Sequence, residues 1–322
     1  METKRILVTG AGGFIGYHLV KNLKEEGHYV VGADLKYPSF AETDADEFYL
    51  YDLRDPYLVD KLVALGFDEI YQLAADMGGT GYIGIGIHDS DIMHNSAMIN
   101  LNMIHSACKH NVPKILYTSS ACVYPERNQL DPNNPLCSED SCYPAEPDTE
   151  YGWEKLFSER LYLTHRKNYG IDAKVVRLHN IYGPYGSWND GKEKAPAALC
   201  RKVAESAGTV EIWGPGTQTR SFLYIDECII GLKKIMHSAI DFPINLGSER
   251  MIAINDLAKL IATIANKEIS IVNVDGPLGV MGRNSHNKLI EETLGWRPNE
   301  SLEDGLAPTY KWIKEQVDAR LQ

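Results

Sequence analysis

The sequence predicts an α/β fold, in which a doubly wound parallel sheet is joined to a smaller C-terminal lobe. Two observations predict it. Short β-branched runs alternate with amphipathic helical segments as far as about residue 180, which is the order of a parallel sheet covered by helices. Beyond that point, loops rich in glycine and proline interrupt the alternation, and this change indicates a second lobe.

The elements of the larger domain follow in chain order. Short apolar runs flanked by glycine and aspartate favour strands over helices. Such strands are predicted at residues 6–9, 29–33, 69–73, 115–119 and 174–178. Apolar residues at helical spacing predict the intervening helices at residues 13–25, 57–65, 91–110 and 151–169.

The chain after residue 180 predicts the smaller lobe. Helices are predicted at residues 194–205, 225–237 and 254–265, and short strands at 221–225 and 243–246. Because strands recur between these helices, we expect the chain to cross between the lobes more than once. The predicted limits are residues 1–180 with a return segment at about 217–247 for the larger domain, and residues 181–216 and 248–322 for the smaller lobe.

Charge and composition exclude several kinds of partner. The chain has 322 residues, with 32 Lys and Arg against 44 Asp and Glu, and a formal net charge of −12. Because nucleic-acid affinity comes mostly from Lys and Arg that neutralise phosphates, we expect no nucleic-acid partner. No apolar stretch reaches the ~18 residues of a membrane span, and a first strand beginning at Arg5 leaves no room for a signal peptide. We therefore expect a cytoplasmic protein with no membrane partner.

The cysteines indicate reduced thiols. Six cysteines in a chain of this size fit free thiols better than a disulfide framework. Cys137 and Cys142 have no second Cys or His pair nearby in the sequence. No metal site is therefore predicted.

A glycine-rich turn after the first strand predicts a dinucleotide site. The segment Thr9-Gly10-Ala11-Gly12-Gly13-Phe14-Ile15-Gly16 opens the first helix, with glycine at 10, 13 and 16. These glycines suit a tight turn, a close approach of a pyrophosphate, and packing of the helix on the strand. Asp34 ends the second strand, where a carboxylate accepts hydrogen bonds from ribose hydroxyls and repels a 2′-phosphate. This favours NAD in a Rossmann-type domain, although Lys36 leaves NADP open.

A serine and a Tyr/Lys pair predict the reactive centre. Ser120 follows the fourth predicted strand, and Tyr151 and Lys155 lie one helical turn apart at the start of a helix. An ammonium there would lower the pKa of the phenol from about 10 towards neutrality and make it usable as a base. Alone, such a pair also fits an exposed helical face. Together with the glycine turn, it resembles the extended short-chain dehydrogenase/reductase superfamily.

Further motifs resemble the GDP-mannose 3,5-epimerase family over nearly the whole chain. They are Ala74-Ala75-Asp76-Met77-Gly78-Gly79, Ser120-Ala121-Cys122, His179-Asn180-Ile181-Tyr182-Gly183-Pro184, Glu193-Lys194-Ala195-Pro196-Ala197-Ala198, Gln218-Thr219-Arg220-Ser221-Phe222 and Gly282-Arg283-Asn284-Ser285. The resemblance implies C4 oxidation of GDP-D-mannose, epimerisation at C3 and C5, and C4 re-reduction, giving GDP-L-galactose and some GDP-L-gulose. It also implies a homodimer formed through the helices at 91–110 and 151–169.

The resemblance implies roles for individual residues. Tyr151 would take the proton of the C4 hydroxyl, Ser120 would bond the same hydroxyl, and Lys155 would tune the phenol and hold the ribose. Cys122 and Lys194 would form the acid/base pair at C3 and C5. A C4 ketone acidifies both neighbouring C–H bonds, and each inversion needs a second group to deliver a proton on the opposite face.

Binding residues complete the prediction. Arg220 and Arg283 are expected to clamp the diphosphate, because a guanidinium offers two parallel donors. The predicted cofactor contacts are Gly10, Gly12, Gly13, Phe14, Ile15, Gly16, Asp34, Asp52, Leu53, Ala74, Tyr151 and Lys155, of which Asp52 and Leu53 are assigned to the adenine pocket. The predicted substrate contacts are Gly79, Ser120, Ala121, Cys122, Asn180, Glu193, Lys194, Ala195, Lys202, Gln218, Arg220 and Arg283.

Several alternatives stay open at this point. A 4,6-dehydratase needs an Asp-Glu pair where this chain has Ala121 and Cys122, so that class is rejected. A GDP-4-keto-6-deoxymannose 3,5-epimerase/reductase is the main alternative, although its usual NADPH and histidine partner disagree with Asp34 and Lys194. A simple 4-epimerase leaves Cys122 and Lys194 without a task, and a non-catalytic redox sensor ranks last. The loop 78–86 is either a lid over the sugar or a loop without sugar contact.

Overall fold

Parallel strands form a central seven-stranded sheet in the computed structural model, which describes residues 2–320. The strands, in chain order, are β1 (Arg5–Thr9), β2 (Tyr29–Asp34), β3 (Glu47–Leu50), β4 (Glu69–Gln72), β5 (Lys114–Ser120), β6 (Asp172–Leu178), β7 (Ile181–Tyr182), β8 (Thr209–Trp213), β9 (Thr219–Ser221), β10 (Leu223–Tyr224), β11 (Ile244–Leu246), β12 (Met251–Ala253), β13 (Ser270–Val274) and β14 (Gly282–Arg283). The order in the sheet is β11-β6-β5-β4-β1-β2-β3. The strand order reverses between β1 and β4, and ligands of such sheets bind at that switch point.

Helices cover both faces of this sheet and build the smaller lobe. They are α1 (Phe14–Glu25), α2 (Pro56–Val63), α3 (Thr80–Ile83), α4 (Asp89–Lys109), α5 (Glu150–Tyr169), α6 (Ala195–Glu205), α7 (Ile225–Met236), α8 (Ile254–Ile264), α9 (Lys288–Leu294) and α10 (Leu302–Arg320). The predicted doubly wound α/β class is confirmed. Within residues 2–320, no helix has the length and apolar character needed to cross a membrane.

Three large hydrophobic clusters form most of the core. On one face of the sheet, α1 and α7 pack together, with Leu19 and Leu232 fully buried. On the other face, α4 and α5 pack together over buried Met103 and Tyr162. The smaller lobe has its own core, in which α6 packs against α8 and α10 around Leu257. This layering leaves the carboxyl ends of the strands free to form a cleft.

A three-stranded sheet of the smaller lobe borders that cleft. β9 pairs with β12 and β14, and in the register of β9 with β14 Arg220 lies opposite Arg283. β11 pairs with β6 at the edge of the central sheet, so the chain returns to the larger domain after β9. The domain limits given above remain predictions. The strand predicted at 221–225 is split, with β9 ending at Ser221 and β10 beginning at Leu223.

A buried ion pair ties α5 to β6. Arg177 and Glu159 make two hydrogen bonds of 2.8 and 2.9 Å, and the Ser119 hydroxyl donates to the same carboxylate at 2.6 Å. Both charged side chains are almost completely buried. Removing one partner would therefore leave the other charge without compensation.

Glu159→Gln should lower the free energy of unfolding by about 3–5 kcal/mol, as expected when one member of a buried ion pair is removed. Urea unfolding followed by circular dichroism measures it. Glu146→Gln is the matched control, because the Glu146 pair with Arg127 is exposed and should contribute little. Equal losses of unfolding free energy in the two variants would show that burial of the Arg177–Glu159 pair does not increase its contribution to stability.

Candidate active site

Two adjoining cavities occupy the cleft at the carboxyl ends of the central strands. The larger has a volume of about 640 Å³ and follows the turn after β1. The smaller, of about 280 Å³, lies between the turn after β5 and the smaller lobe. Ser120, Tyr151 and Lys194 line both cavities. The reactive groups predicted from the sequence therefore lie where the two cavities meet.

The larger cavity contains every residue predicted to contact the cofactor. These are Gly10, Gly12, Gly13, Phe14, Ile15, Gly16, Asp34, Asp52, Leu53, Ala74, Tyr151 and Lys155. Gly10 has a φ of +70°, a conformation that glycine adopts without strain. Gly13 precedes α1 and makes no side-chain cap, so the first amides of this helix remain available to an anion. The turn thus fits a dinucleotide pyrophosphate.

Asp34 is held at the end of β2 by the same turn. The Gly12 amide donates to its carboxylate at 3.0 Å, and the Lys36 amide donates at 3.3 Å. Burial raises the pKa of Asp34. Lys36 is the residue that kept NADP possible in the sequence analysis. Its ammonium donates to the Ser39 hydroxyl at 3.3 Å. The carboxylate therefore stands where it would meet the ribose hydroxyls of NAD.

At the predicted adenine pocket, Asp52 pairs with a residue that was not predicted from the sequence. Arg54 lines the larger cavity and donates to the Asp52 carboxylate at 2.6–3.1 Å. These hydrogen bonds from Arg54 hold the pKa of Asp52 below its usual value. The carboxylate is therefore already engaged by Arg54.

The first turns of α5 present the Tyr/Lys pair. The Thr149 hydroxyl caps this helix by accepting from the Gly152 amide at 3.2 Å. The Lys155 ammonium donates to the Thr118 carbonyl oxygen at 3.2 Å and lies 5.5 Å from the centre of the Tyr151 ring. Burial lowers the pKa of Lys155.

The predicted lowering of the phenol pKa is wrong for this structure. Tyr151 is buried, and burial raises its pKa, with further increases from Cys122 and Glu154. The Ser120 hydrogen bond and the Arg283 charge act in the opposite direction but are weaker. Desolvation of the phenolate has the largest effect on the Tyr151 pKa, and burial of this side chain is not visible in the sequence.

Cys122 lies beside Tyr151 because α5 approaches its turn closely. The 3₁₀ turn Ala121–Val123 follows β5, and the Cys122 amide donates to the Ser120 hydroxyl at 3.2 Å. A Cβ atom on Gly152 would lie 2.2 Å from the Cys122 carbonyl oxygen. Only glycine therefore allows this approach. Tyr151 and Cys122 pack in one buried cluster as a result.

Arg283 contacts the thiol. One terminal nitrogen of its buried guanidinium lies 3.0 Å from the Cys122 sulfur, and the other donates to Asp148 at 3.3 Å. Its Nε donates to the side chain of Gln129. The Cys122 sulfur thus has a charged hydrogen-bond donor beside it. The diphosphate role of Arg283 remains a prediction beside this observed contact.

Lys194 and Arg220 add positive charge to the smaller cavity. Lys194 precedes α6 and is half-buried, and burial lowers its pKa. The Arg220 guanidinium donates to the carbonyl oxygens of Thr219 at 2.8 Å and Val280 at 2.6 Å. Burial and the neighbouring Arg283 lower the pKa of Arg220 to about 10. This acidic protein thus gathers five cationic side chains around one cavity: Lys194, Arg201, Lys202, Arg220 and Arg283.

The smaller cavity contains every residue predicted to contact the substrate. These are Gly79, Ser120, Ala121, Cys122, Asn180, Glu193, Lys194, Ala195, Lys202, Gln218, Arg220 and Arg283. The further lining residues that were not predicted include Asp148, Arg201 and Trp213. The Lys202 ammonium donates to the Glu211 carbonyl oxygen at 2.7 Å and lies 5.8 Å from the Trp213 ring.

The loop 78–86 reaches the same cavity. The Gly79 amide donates to the Lys192 carbonyl oxygen at 2.9 Å, next to Lys194. Gly79, Thr80, Ile83 and other residues of this loop line the smaller cavity. The loop therefore forms part of the cavity wall, while its movement as a lid remains a prediction.

The class of protein follows from this arrangement. A Rossmann-type sheet carries the dinucleotide turn, and Tyr151 of the buried Tyr/Lys pair also lines the adjoining cavity, which has room for a second ligand. This geometry suits an enzyme that exchanges a hydride between a nicotinamide cofactor and a bound alcohol.

Comparisons with known proteins agree with that class. Residues 6–247 match the model of the NAD dependent epimerase/dehydratase family. Over 319 residues the chain is 46% identical to the GDP-mannose 3,5-epimerase of Arabidopsis thaliana, covering 98% of this chain and 84% of that protein. The UDP-glucuronic acid 4-epimerase of Bacillus cereus, solved with UDP-glucuronic acid and NAD, superposes with a TM-score of 0.83 at 27% identity, covering 97% of this chain and 99% of that one. A UDP-glucose 4-epimerase from Thermotoga maritima shares the fold, with a TM-score of 0.86 at 23% identity over 97% and 99% of the two chains.

The chain belongs to the NAD-dependent epimerase/dehydratase family and, within it, to the GDP-mannose 3,5-epimerase family. It is an enzyme whose cofactor is NAD. The predicted family, enzyme class and cofactor are therefore confirmed, and the alternatives weighed from the sequence are not favoured.

Proposed function

We propose that this enzyme converts GDP-D-mannose into GDP-L-galactose, with GDP-L-gulose as a partial product. The observation that carries the proposal is that Tyr151, Cys122 and Lys194 all line the smaller cavity, where the Arg283 guanidinium contacts Cys122. A 4-epimerase needs only the Tyr/Lys pair, whereas a thiol and an ammonium supply what two further epimerisations require. The relative named GDP-mannose 3,5-epimerase supports the choice of sugar nucleotide.

Oxidation at C4 depends on the residues at the junction of the cavities. Tyr151 removes the proton of the C4 hydroxyl, and Ser120 orients that hydroxyl by a hydrogen bond. Lys155 donates to the Thr118 carbonyl oxygen and lies 5.5 Å from the centre of the Tyr151 ring, on the side of the larger cavity. NAD, when bound, supplies the hydride acceptor and returns the hydride at the end of the cycle.

Inversion at C3 and C5 depends on Cys122 and Lys194. The C4 ketone acidifies the two neighbouring C–H bonds, and the Cys122 thiolate removes each proton in turn. The Lys194 ammonium delivers a proton to the opposite face. Arg283 stabilises the thiolate through the contact of 3.0 Å to sulfur. The nucleotide sugar leaves with the same oxidation state as the substrate.

Arg220→Ala should weaken GDP-mannose binding about ten- to a hundredfold, because a charge-assisted contact to phosphate contributes about 1.5–3 kcal/mol. Arg283→Ala should weaken GDP-mannose binding by a similar factor. It should also slow epimerisation, because Arg283 contacts the Cys122 thiol. Calorimetry with GDP-mannose and with NAD measures both affinities, and NAD binding should not change.

Arg250→Ala is the matched control for this pair, because Arg250 is exposed and paired with Glu303. It should bind GDP-mannose like the unchanged protein. If Arg220→Ala bound GDP-mannose within twofold of the unchanged protein, Arg220 would not be a diphosphate contact.

We also propose that the enzyme is a cytoplasmic homodimer. α4 and α5 expose large apolar side chains on the outside of the molecule, among them Met93, Leu101, Trp153 and Phe157. A second copy packed helix against helix would bury them and form a four-helix bundle. The six free thiols suit the reducing cytoplasm.

Phe157→Glu should convert the dimer to a monomer, because a carboxylate cannot be buried between copies without a partner. Sedimentation velocity measures the change. Tyr57→Glu, an exposed aromatic on α2, is the control and should leave the dimer intact. A dimer in both variants would place the interface elsewhere.

A proton NMR time course with GDP-mannose and no added cofactor tests the proposed reaction. New anomeric signals of GDP-L-galactose and GDP-L-gulose should appear, with NAD copurifying and no net reduction of it. Consumption of NADPH with a GDP-4-keto-6-deoxy sugar, and no reaction of GDP-mannose, would support the reductase alternative instead.

A further inference from the structure

Two aromatic side chains line the larger cavity where it opens to solvent. Phe40 belongs to the loop after β2, and Tyr185 to the loop after β7. Both line the cavity and both are more than a third exposed, at 38% and 37%, which places them at its rim. The larger cavity is thus bordered by aromatic rings from two distant segments of the chain.

Trp312 of α10 joins these two rings. Its indole centre lies 5.1 Å from the Phe40 ring in a nearly perpendicular arrangement, and 5.4 Å from the Tyr185 ring. Trp312 is itself buried in the core of the smaller lobe. We name Phe40, Trp312 and Tyr185 the aromatic bridge, because they connect the loop after β2 to the C-terminal helix.

Tyr185 adopts a strained backbone for its place in the bridge. Its φ of +66° lies in the left-handed region, which costs a bulky residue about 1–3 kcal/mol. Its ring also packs against Tyr17 at 5.4 Å and His18 at 5.9 Å. The His18 ring in turn lies 3.0 Å from the Pro184 carbonyl oxygen. Such strain persists only where surrounding contacts fix the residue, and here they fix it at the cofactor cavity.

We propose that the aromatic bridge holds NAD in its cavity between turnovers. Phe40 lies in the loop that follows Asp34, and Tyr185 lies in the loop after β7. Both rings line the cavity and pack on Trp312, so separating them would open the rim. Trp312 acts behind them as a positioning residue, because it does not itself line the cavity. A reaction that regenerates NAD in every cycle gains from slow release, since an escaped cofactor would leave the enzyme inactive.

The test measures release of NAD rather than turnover. Holoenzyme loaded with radiolabelled NAD is mixed with an excess of unlabelled NAD, and the label remaining on the protein is followed. Phe40→Ala should release label about five- to tenfold faster, the effect of losing one aromatic pair. Trp312→Phe, which keeps a ring in the core, should give a smaller increase in the same direction.

Tyr37→Ala is the matched control. Tyr37 belongs to the same loop, is exposed, and packs on Phe48 at 4.7 Å without lining the cavity. Its release rate should stay within twofold of the unchanged protein. Release within twofold in Phe40→Ala would overturn the proposal, and so would equal acceleration in Tyr37→Ala, which would assign the effect to the loop as a whole. Neither result depends on the sugar substrate, so both are independent of the proposed reaction.

Discussion

Replacing Tyr151 with phenylalanine should reduce GDP-mannose turnover by about a hundred- to ten-thousandfold, the contribution expected of a general base. Tyr151 lines both cavities, so its hydroxyl lies between the predicted cofactor and sugar sites. Without that hydroxyl no group removes the C4 proton, and no ketone forms. Deuterium from heavy water should then fail to enter C3 and C5, because these protons are acidic only beside a ketone.

The matched control removes a different hydroxyl from the same cavity. Tyr82 lines the larger cavity and donates to Asp76 at 2.9 Å, so Tyr82→Phe should retain most turnover. The two readouts are the rate of GDP-mannose loss and deuterium incorporation by mass spectrometry. Deuterium entering the sugar of Tyr151→Phe at the normal rate would show that another group starts the reaction.

Buried strands and helices with regularly spaced apolar residues were the predictable parts of the fold. The five strands predicted in the larger domain are all present, because the central residues of each are apolar and buried. β3 was not predicted. Its segment Glu47–Leu50 contains three consecutive apolar residues, but it is an edge strand and none of its residues is fully buried. α10 was not predicted either, because Gly305 and Pro308 interrupt its helical pattern.

The cavity linings were predictable because motif residues lie at fixed points of the fold. Turns after parallel strands and the first turns of following helices meet at one edge of the sheet, and the predicted contacts lie there. Contacts across long sequence separations were not predictable. Arg283 and Cys122 are 161 residues apart in the chain, and only the pairing of β14 with β9 places that arginine in the cavity wall. Nor could the sequence give the burial that raises the Tyr151 pKa.

Replacing Cys122 with alanine should separate oxidation from epimerisation. The variant retains Tyr151, Lys155 and the NAD cavity, so C4 oxidation can still occur and the 4-keto sugar should accumulate. Epimerisation should stop, because no thiolate removes the C3 and C5 protons, and deuterium from heavy water should no longer enter those carbons. Tyr151→Phe differs, since it loses oxidation and exchange together.

Lys194→Ala should give a third pattern. Cys122 can still remove a proton and return a deuteron to the same face, so some exchange should persist. Inversion should be lost, because no group protonates the opposite face of the sugar. Mass spectrometry reports the deuterium, and proton NMR reports the configuration.

Cys137→Ala is the matched control for the thiol. Cys137 is buried like Cys122, and burial raises the pKa of its thiol to about 11, so it stays protonated near neutral pH. It does not line either cavity, and its removal should leave exchange at C3 and C5 unchanged. Normal C5 exchange in Cys122→Ala would contradict the acid/base role of Cys122. The thiol would then be a packing residue beside Arg283, and the proton acceptor would have to be sought among the other groups of the smaller cavity.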